Sequence, residues 1–523
     1  MRAKKWEWIC LAAMLGLIVL TRALGLTHEM VNHPDEHVFV QGSASLCGAL
    51  LDGTEFTETK PYPEGSYFFF LPFQMLAALA GRMSGAEQAV RVWNRAAAVV
   101  YYCIGSALGW GILKKYFGGG KSLWMYALLA VFSLIHIEQS RFGTGDAISF
   151  ALLMGVIDCT AGWIKGGKNA RLYIAAVLVG FLGAVKYPLL YFSLVPLAAV
   201  LLCRRGKKER AGLIAAGVAL VGAGFLALSP GILEDLGYIV DVCRREIKAY
   251  MLMGNRTEVG GPVNHIFAMI VYWLGYSDAL LAPVCAAVGI KAVLRRKDGE
   301  KTPLQAFFGM ILPLIAAGFM AYNVFVTALF MRTLYPFFCI ALLYAAKGLG
   351  EMWGSRRLLA GALIALTVLR GAVFIGAYIP ENKAAELDGY IAAAQEIAPG
   401  GRMIGLGTNR YVTGHWTELR DKYPQMHLIE LESLRTGEYP VLQSGDIVVT
   451  GPLEMARAKP YVFPITDGEV QACIDGWARF KEDYAANFVG RTYPGWYAPL
   501  FGFWINGVVS EFDFPMNFVY AVP

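Results

Sequence analysis

His33-Pro34-Asp35-Glu36-His37 sets two adjacent carboxylates between two imidazoles. A carboxylate in such a place can take the proton from an attacking hydroxyl. Ionisable side chains at a membrane boundary are costly unless water or a partner solvates them, which makes them functional candidates. His33 and His37 sit four apart, and with Asp35 and Glu36 they make a donor set for a divalent metal. Pro34 works against a regular helix there, although proline is tolerated at a first helical position. The same five residues also read as an ordinary polar loop with a proline turn, so they leave both a catalytic role and metal use open.

Three further groups carry charge between apolar runs. Glu138, Arg141 and Asp146 fall within His136-Ile-Glu-Gln-Ser-Arg-Phe-Gly-Thr-Gly-Asp146, where the plainer expectation is a solvated turn with Asp146 capping a helix that starts at Ala147. Lys186-Tyr187-Pro188 offers a lone cation, and Arg332 stands in Phe330-Met-Arg-Thr-Leu-Tyr335-Pro336. Cations of this kind can hold a phosphate, arginine through a two-pronged fork and lysine as a point charge. Carboxylates and isolated cations on one side of a bundle suit a reaction between an anionic lipid and a nucleophile.

The elements that must position these residues are membrane spans. Of 523 residues, 56% are hydrophobic and only 16% charged, well below the quarter usual for a soluble domain. A span needs ~20 mostly apolar residues. Candidates are 7–26, 92–113, 122–137, 147–164, 172–186, 188–203, 211–228, 267–293, 304–322, 333–346 and 358–378, about eleven in all. Several are short or hold a proline (Pro188, Pro196, Pro283, Pro313, Pro336), as broken helices do where they line a protein-filled cavity. The first run follows Arg2, Lys4 and Lys5 without a small-residue cleavage site and reads as a retained helix rather than a signal peptide.

Lysines and arginines cluster between alternate spans: at the N-terminus, 114–121, 165–171, 204–210, 295–301 and 347–357. One topology puts all of them in the cytoplasm, with the C-terminus outside. The net charge of +6 is therefore a positive-inside signature and not a nucleic-acid surface. Four chemical groups then share the outer face, together with the outer loops 27–91 and 229–266 and the tail 379–523. Tyr67–Ala80 reads as an interfacial or re-entrant stretch. The tail is expected to be a small α/β domain, with a helix over Asn382–Ile397 and strands near Met403–Leu406 and Asp446–Thr450. Nine scattered cysteines form neither a CxxC nor a disulfide framework. Phe117-Gly-Gly-Gly-Lys-Ser122 fails as a phosphate loop, because Lys115 stands where the motif requires glycine.

His-Pro-Asp-Glu after the first span, Ser-Arg-Phe-x-Thr-x-Asp146 after the third, Gly-Ala-Val-Lys186-Tyr, and Arg332-x-x-Tyr335-Pro together resemble the GT-C superfamily of membrane glycosyltransferases. The likeness runs in order over roughly the first 375 residues. It is greatest to a bacterial branch related to protein O-mannosyltransferases and to the aminoarabinose transferase of lipid A, while His-Pro-Asp-Glu also resembles the mannosyltransferases that build glycolipid anchors. The fold implied is an all-α polytopic bundle over 1–378 with a small extracytoplasmic α/β domain over 379–523. The activity implied is transfer of a hexose or pentose from a polyprenyl-phosphate donor, with inversion, to a protein, lipid or glycan acceptor. By carry-over, Asp35 is the general base with Glu36 beside it, and Arg141, Lys186 and Arg332 hold the donor phosphate. Asp146 belongs to the second half of the site; Glu138, Tyr187, Tyr335, His33 and His37 are further candidates. A bacterial plasma-membrane location with a cytoplasmic N-terminus follows. The rival reading is a transporter or flippase of a lipid-linked saccharide, which predicts internal repeats and charges at the bilayer midplane. No repeat is found in the sequence, and the charged groups gather at one surface.

Overall fold

A computed structural model describes residues 2–27, 36–53, 64–80, 87–203, 205–233, 284–295, 302–326, 331–378, 383–406, 423–429, 442–450, 487–491 and 518–522, with single residues near 240 and 480. Its first part is helical: α1 (Arg2–Ala23), α2 (Glu36–Asp52), α3 (Gly65–Leu79), α4 (Glu87–Tyr116), α5 (Lys121–Phe132), α6 (Leu134–Gln139), α7 (Asp146–Gly166) and α8 (Asn169–Val185). A 3-10 turn over Tyr187–Ser193 leads into α9 (Leu194–Leu202) and α10 (Lys207–Leu228). After them come α11 (Ala286–Leu294), α12 (Pro303–Ala306), α13 (Leu312–Val326), α14 (Met331–Ser355) and α15 (Arg357–Val373).

Among the described residues, seven helices are long and apolar enough to cross a membrane, from Lys5–Ala23 to Arg357–Gly376. Helices suit a bilayer because each satisfies its own backbone polar groups where water is absent. The runs 172–186 and 188–203 appear as shorter apolar helices. Of 267–293, only the end lies within the described residues, as the start of α11. Outward-facing Leu20, Leu79, Val218 and Leu358 present hydrocarbon to the surroundings. The chain is an integral membrane protein.

The run 122–137 departs from a single span. It breaks at Ser133, whose backbone is extended (φ −68°, ψ 124°). The reason lies in α1: Arg22, fully buried, donates from Nη1 to Val131 O (2.6 Å) and from Nη2 to Ala130 O (3.0 Å). Carbonyls at the end of a helix need such partners, and a cation suits the negative end of the helix dipole. The Arg22 Nε also donates to Ser140 Oγ (3.1 Å), so it spans the break and the turn beyond it.

Helices α4, α5, α7 and α14 form the centre of the bundle, with Tyr102, Tyr126, Phe150, Tyr335 and Tyr344 in the core. Helix α8 lies between α7 and α10. A Cβ at Gly224 would fall 2.7 Å from Val177 O, so the backbones of α8 and α10 meet directly, as small residues allow in membrane proteins. The expected interfacial stretch is helix α3, which packs on α2 and α4.

The tail described is a helix on a sheet. Helix α16 (Lys383–Ile397) buries Leu387, Ile391 and Ala394, an i, i+4, i+7 stripe, as the sequence pattern requires. The sheet has strands β1 (Met403–Leu406), β2 (Met426–Ile429), β3 (Ile447–Thr450), β4 (Phe488–Arg491) and β5 (Phe518–Ala521), in the order β2-β1-β3-β5-β4, and the helix packs on β3, β4 and β5. The pairs β1–β2 and β1–β3 are parallel; β3–β5 and β4–β5 are antiparallel. Ile447 and Val449, two apart, face the helix, together with Val519 and Ala521 from β5.

Candidate active site

Glu36 opens α2 and is completely buried. Its carboxylate accepts from Arg95 Nε on Oε1 (2.8 Å) and from Arg95 Nη2 on Oε2 (2.6 Å), a two-pronged pairing with the third turn of α4. Oε1 also accepts from the backbone N–H of Gly143 (2.8 Å). Burial alone would raise the Glu36 carboxyl, but the charge and hydrogen bonds of Arg95, the Gly143 N–H and nearby Arg91 outweigh it and hold the group below its usual range. Glu36 is an ionised, fully engaged carboxylate.

Gly143 belongs to the turn between α6 and α7, which also carries Arg141 and Asp146. A Cβ at position 143 would lie 2.8 Å from the Asn94 Cβ and 3.2 Å from Glu36 Oε1, so only glycine lets the turn close on Glu36. Gly145 is pinned in the same way, 2.7 Å from Val185 Cγ1 and 2.8 Å from Ser66 Oγ, measured from a Cβ built there. These contacts bring the starts of α2 and α3, the turn and the end of α8 to one place.

Asp146 is the first residue of α7 and not its cap, which corrects the plainer expectation; the N-cap is Gly145, with no side-chain bond. The Asp146 carboxylate instead accepts from Thr144 Oγ1 on Oδ2 (2.9 Å) and from Lys186 Nζ on Oδ1 (2.5 Å). Lys186 ends α8 with extended backbone (φ −150°, ψ 119°), and its side chain is 22% exposed against 3% for Asp146. This pair therefore joins a buried anion to a cation that reaches the surface. Arg141 is buried, its guanidinium 5.3 Å from the Phe142 ring centre. Glu138 is buried in α6.

Tyr335 lies fully buried in α14, its hydroxyl 3.2 Å from His136 Nδ1 of α6 and its ring edge-on to the imidazole at 5.3 Å. Arg332 stands three residues earlier, in the first turn of α14. Tyr187 packs toward α10, its ring 6.1 Å from that of Phe225. His33 and Asp35 lie outside the described residues, as do the side chains of His37 and Arg332. Among the described residues no group of three or more His, Cys, Asp or Glu side chains could hold a metal ion.

The site thus unites Glu36 with the 141–146 turn, Asp146 with Lys186, and Tyr335 with the helix before that turn. It also contains residues that the motifs did not single out. Arg22, Arg95 and His136 are all buried. Their signal was available in principle, since each is an ionisable residue in or at the edge of an apolar run. Chemically, the arrangement offers anions and cations in fixed geometry at the ends of several helices, with Lys186 the partly exposed member.

No family model matches the chain, and no curated protein matches it. Comparison with solved structures shows a fold that the chain shares with proteins of known structure. One similar structure is ArnT from Cupriavidus metallidurans bound to undecaprenyl phosphate, with 12% identity and a TM-score of 0.51 over 88% of this chain and 95% of that one. Another is the archaeal oligosaccharyltransferase AglB from Archaeoglobus fulgidus, in complex with an inhibitory peptide and a dolichol-phosphate. It too gives 12% identity and a TM-score of 0.51, over 90% of this chain and 72% of that one. At such identity the likeness is one of fold.

Proposed function

We propose that this chain is an integral-membrane glycosyltransferase that takes a hexose or pentose from a polyprenyl-phosphate donor and passes it to an acceptor hydroxyl on the extracytoplasmic side. The observation that carries this reading is the Asp146–Lys186 pair, buried at its anionic end and open at its cationic end, beside the turn that Glu36 holds. A fold whose solved examples contain undecaprenyl phosphate or dolichol-phosphate supports the choice of donor. The location expected is a bacterial plasma membrane, with the N-terminus cytoplasmic and the domain over 379–523 outside.

In this reaction Asp35 takes the proton of the acceptor hydroxyl, with Glu36 beside it as a fixed neighbour. The acceptor oxygen bonds to the anomeric carbon from the face opposite the donor phosphate, and the bond from that carbon to the phosphate oxygen breaks. One displacement inverts the configuration, through a transition state with oxocarbenium character. Lys186, Arg141 and Arg332 hold the departing lipid phosphate and its charge. Asp146 keeps Lys186 in place until the phosphate shares it. The sugar arrives already activated, so no nucleotide is required. The acceptor is a hydroxyl of a protein, lipid or glycan.

The test is a transfer assay in nanodiscs with a panel of radiolabelled polyprenyl-phosphate sugars, comparing wild type with Asp35→Asn. Transfer by wild type and its loss, by about 100-fold or more, in a folded Asp35→Asn variant is the expected result, since a positioned general base contributes about 10²–10⁴-fold. Equal turnover in the variant would remove Asp35 from that role. Failure of wild type with every donor would remove the enzyme reading.

A further inference from the structure

Arg95 is a buried cation whose guanidinium reaches two separate stretches of chain directly and a third through Glu36. Its Nε and Nη2 hold the two oxygens of Glu36, the first residue of α2. Its Nη1 donates to Leu26 O (3.1 Å), just past the end of α1, with Gly25 O at 3.5 Å. Through Glu36 Oε1, which also accepts the Gly143 N–H, the same unit grips the turn that carries Arg141 and Asp146. Arg95 thus fixes both ends of the segment between residues 26 and 36 and ties them to the second half of the site. A planar fork with donors on several edges can do this; an ammonium cannot bridge the same three acceptors.

We propose that Arg95 is the positioning residue of the active site: it holds Leu26 and Glu36, the latter next in sequence to Asp35, to the turn that carries Asp146. This rests on the glycosyltransferase reading for its consequence in catalysis, but not for the clamp itself. The plainer alternative is a buried ion pair that only holds the fold together. The two differ in what happens when both charges are removed. Neutral replacement of a buried pair often restores stability, whereas removal of one partner leaves a stranded charge. A purely structural pair would then recover activity along with stability.

The experiment compares wild type with Arg95→Lys and with the double variant Glu36→Gln/Arg95→Met, all in nanodiscs. Three readouts are taken: Tm, the kcat and donor KM of sugar transfer, and hydrogen exchange in peptides covering 24–27 and 141–146. The expected result for the double variant is a Tm close to wild type, kcat lowered at least 10-fold, and a donor KM within 3-fold. Arg95→Lys is expected to speed exchange in both peptides together while peptides from α7 onward stay protected. A double variant with wild-type Tm and wild-type kcat would overturn the proposal. So would Arg95→Lys exchange that leaves both peptides unchanged or loosens only one. If wild type transfers no sugar, the functional reading fails on its own, and the exchange of the two peptides still decides whether the clamp exists.

Discussion

Glu36 and Asp146 are both buried carboxylates, yet they are neutralised in different ways. Glu36 is locked by a two-pronged guanidinium and a backbone N–H, all within the protein. Asp146 is met by a single ammonium on a flexible stem that reaches the surface. A fork fixes geometry, whereas a point charge can turn toward a second anion. On the proposed function, this difference gives Glu36 an architectural role and Lys186 one in ligand exchange. Lys186→Met alone should cost about 3 kcal/mol, because it strands a buried carboxylate. Adding Asp146→Asn should return most of that loss, as thermal unfolding in detergent would read out. Lys186 stands out in the sequence as a lone cation between apolar runs, and Asp146 as one of three charged residues, with Glu138 and Arg141, in a polar stretch between two of them. Arg95 was not, since a cation at the start of an apolar run looks like any boundary residue until its partners 59 and 69 positions away are known.

At the level of elements, hydropathy located most of the helices but not their interruptions. The break at Ser133 is caused by Arg22, whose acceptors lie 108 and 109 residues further along, so nothing local announces it. The 3-10 turn over Tyr187–Ser193 is more readable, because Pro188 near its start removes a backbone donor. Helix α16, β1 and β3 follow from their apolar periodicity. All five strands are four residues long, but His427 interrupts the apolar run of β2, and Gly490 and Arg491 that of β4. The glycines of the 141–146 turn belong to this scale, because they set how closely elements approach. Gly143→Ala should destabilise the protein by about 1–3 kcal/mol, the usual cost of overpacking, since its Cβ would crowd Asn94 and Glu36. Gly16→Ala in α1, with nothing within 4 Å, is the control and should be neutral or slightly stabilising. Thermal shifts of the two variants side by side would check both expectations.

For the whole molecule, the helical bundle and the α16–sheet unit have separate cores and respond to different conditions. The sheet unit carries a pH-sensitive contact. Arg402 Nε and Nη2 donate to the two oxygens of Asp446 (2.8 and 2.7 Å), and Gln443 N donates to Oδ2 (2.7 Å). Burial alone would raise the Asp446 carboxyl, but these donors outweigh it and hold it below the usual carboxylate range. A group depressed in the folded state stabilises fully above its unfolded value, about pH 4, and loses that contribution as pH falls through the lower folded value. Hydrogen exchange of β1 and β3 in the full chain, corrected for intrinsic rates, should therefore rise below about pH 4. In Arg402→Ala exchange should be faster already at neutral pH, and the further rise on acidification should shrink or vanish, because Asp446 is no longer held below its unfolded value. An identical profile in the variant would show that the pair does not control this unit.

The central claim is that a lipid phosphate is held at the Lys186 end of the site. Its most direct test is equilibrium binding of undecaprenyl phosphate to the purified protein in nanodiscs, for wild type and for Lys186→Met/Asp146→Asn, the variant that removes the cation without stranding the anion. Saturable binding by wild type, weakened at least about 10-fold in a variant of equal Tm, is the predicted result, one lost charge-assisted contact being worth about 1.5–3 kcal/mol. No saturable binding by wild type, or equal affinity in the two proteins, would contradict it.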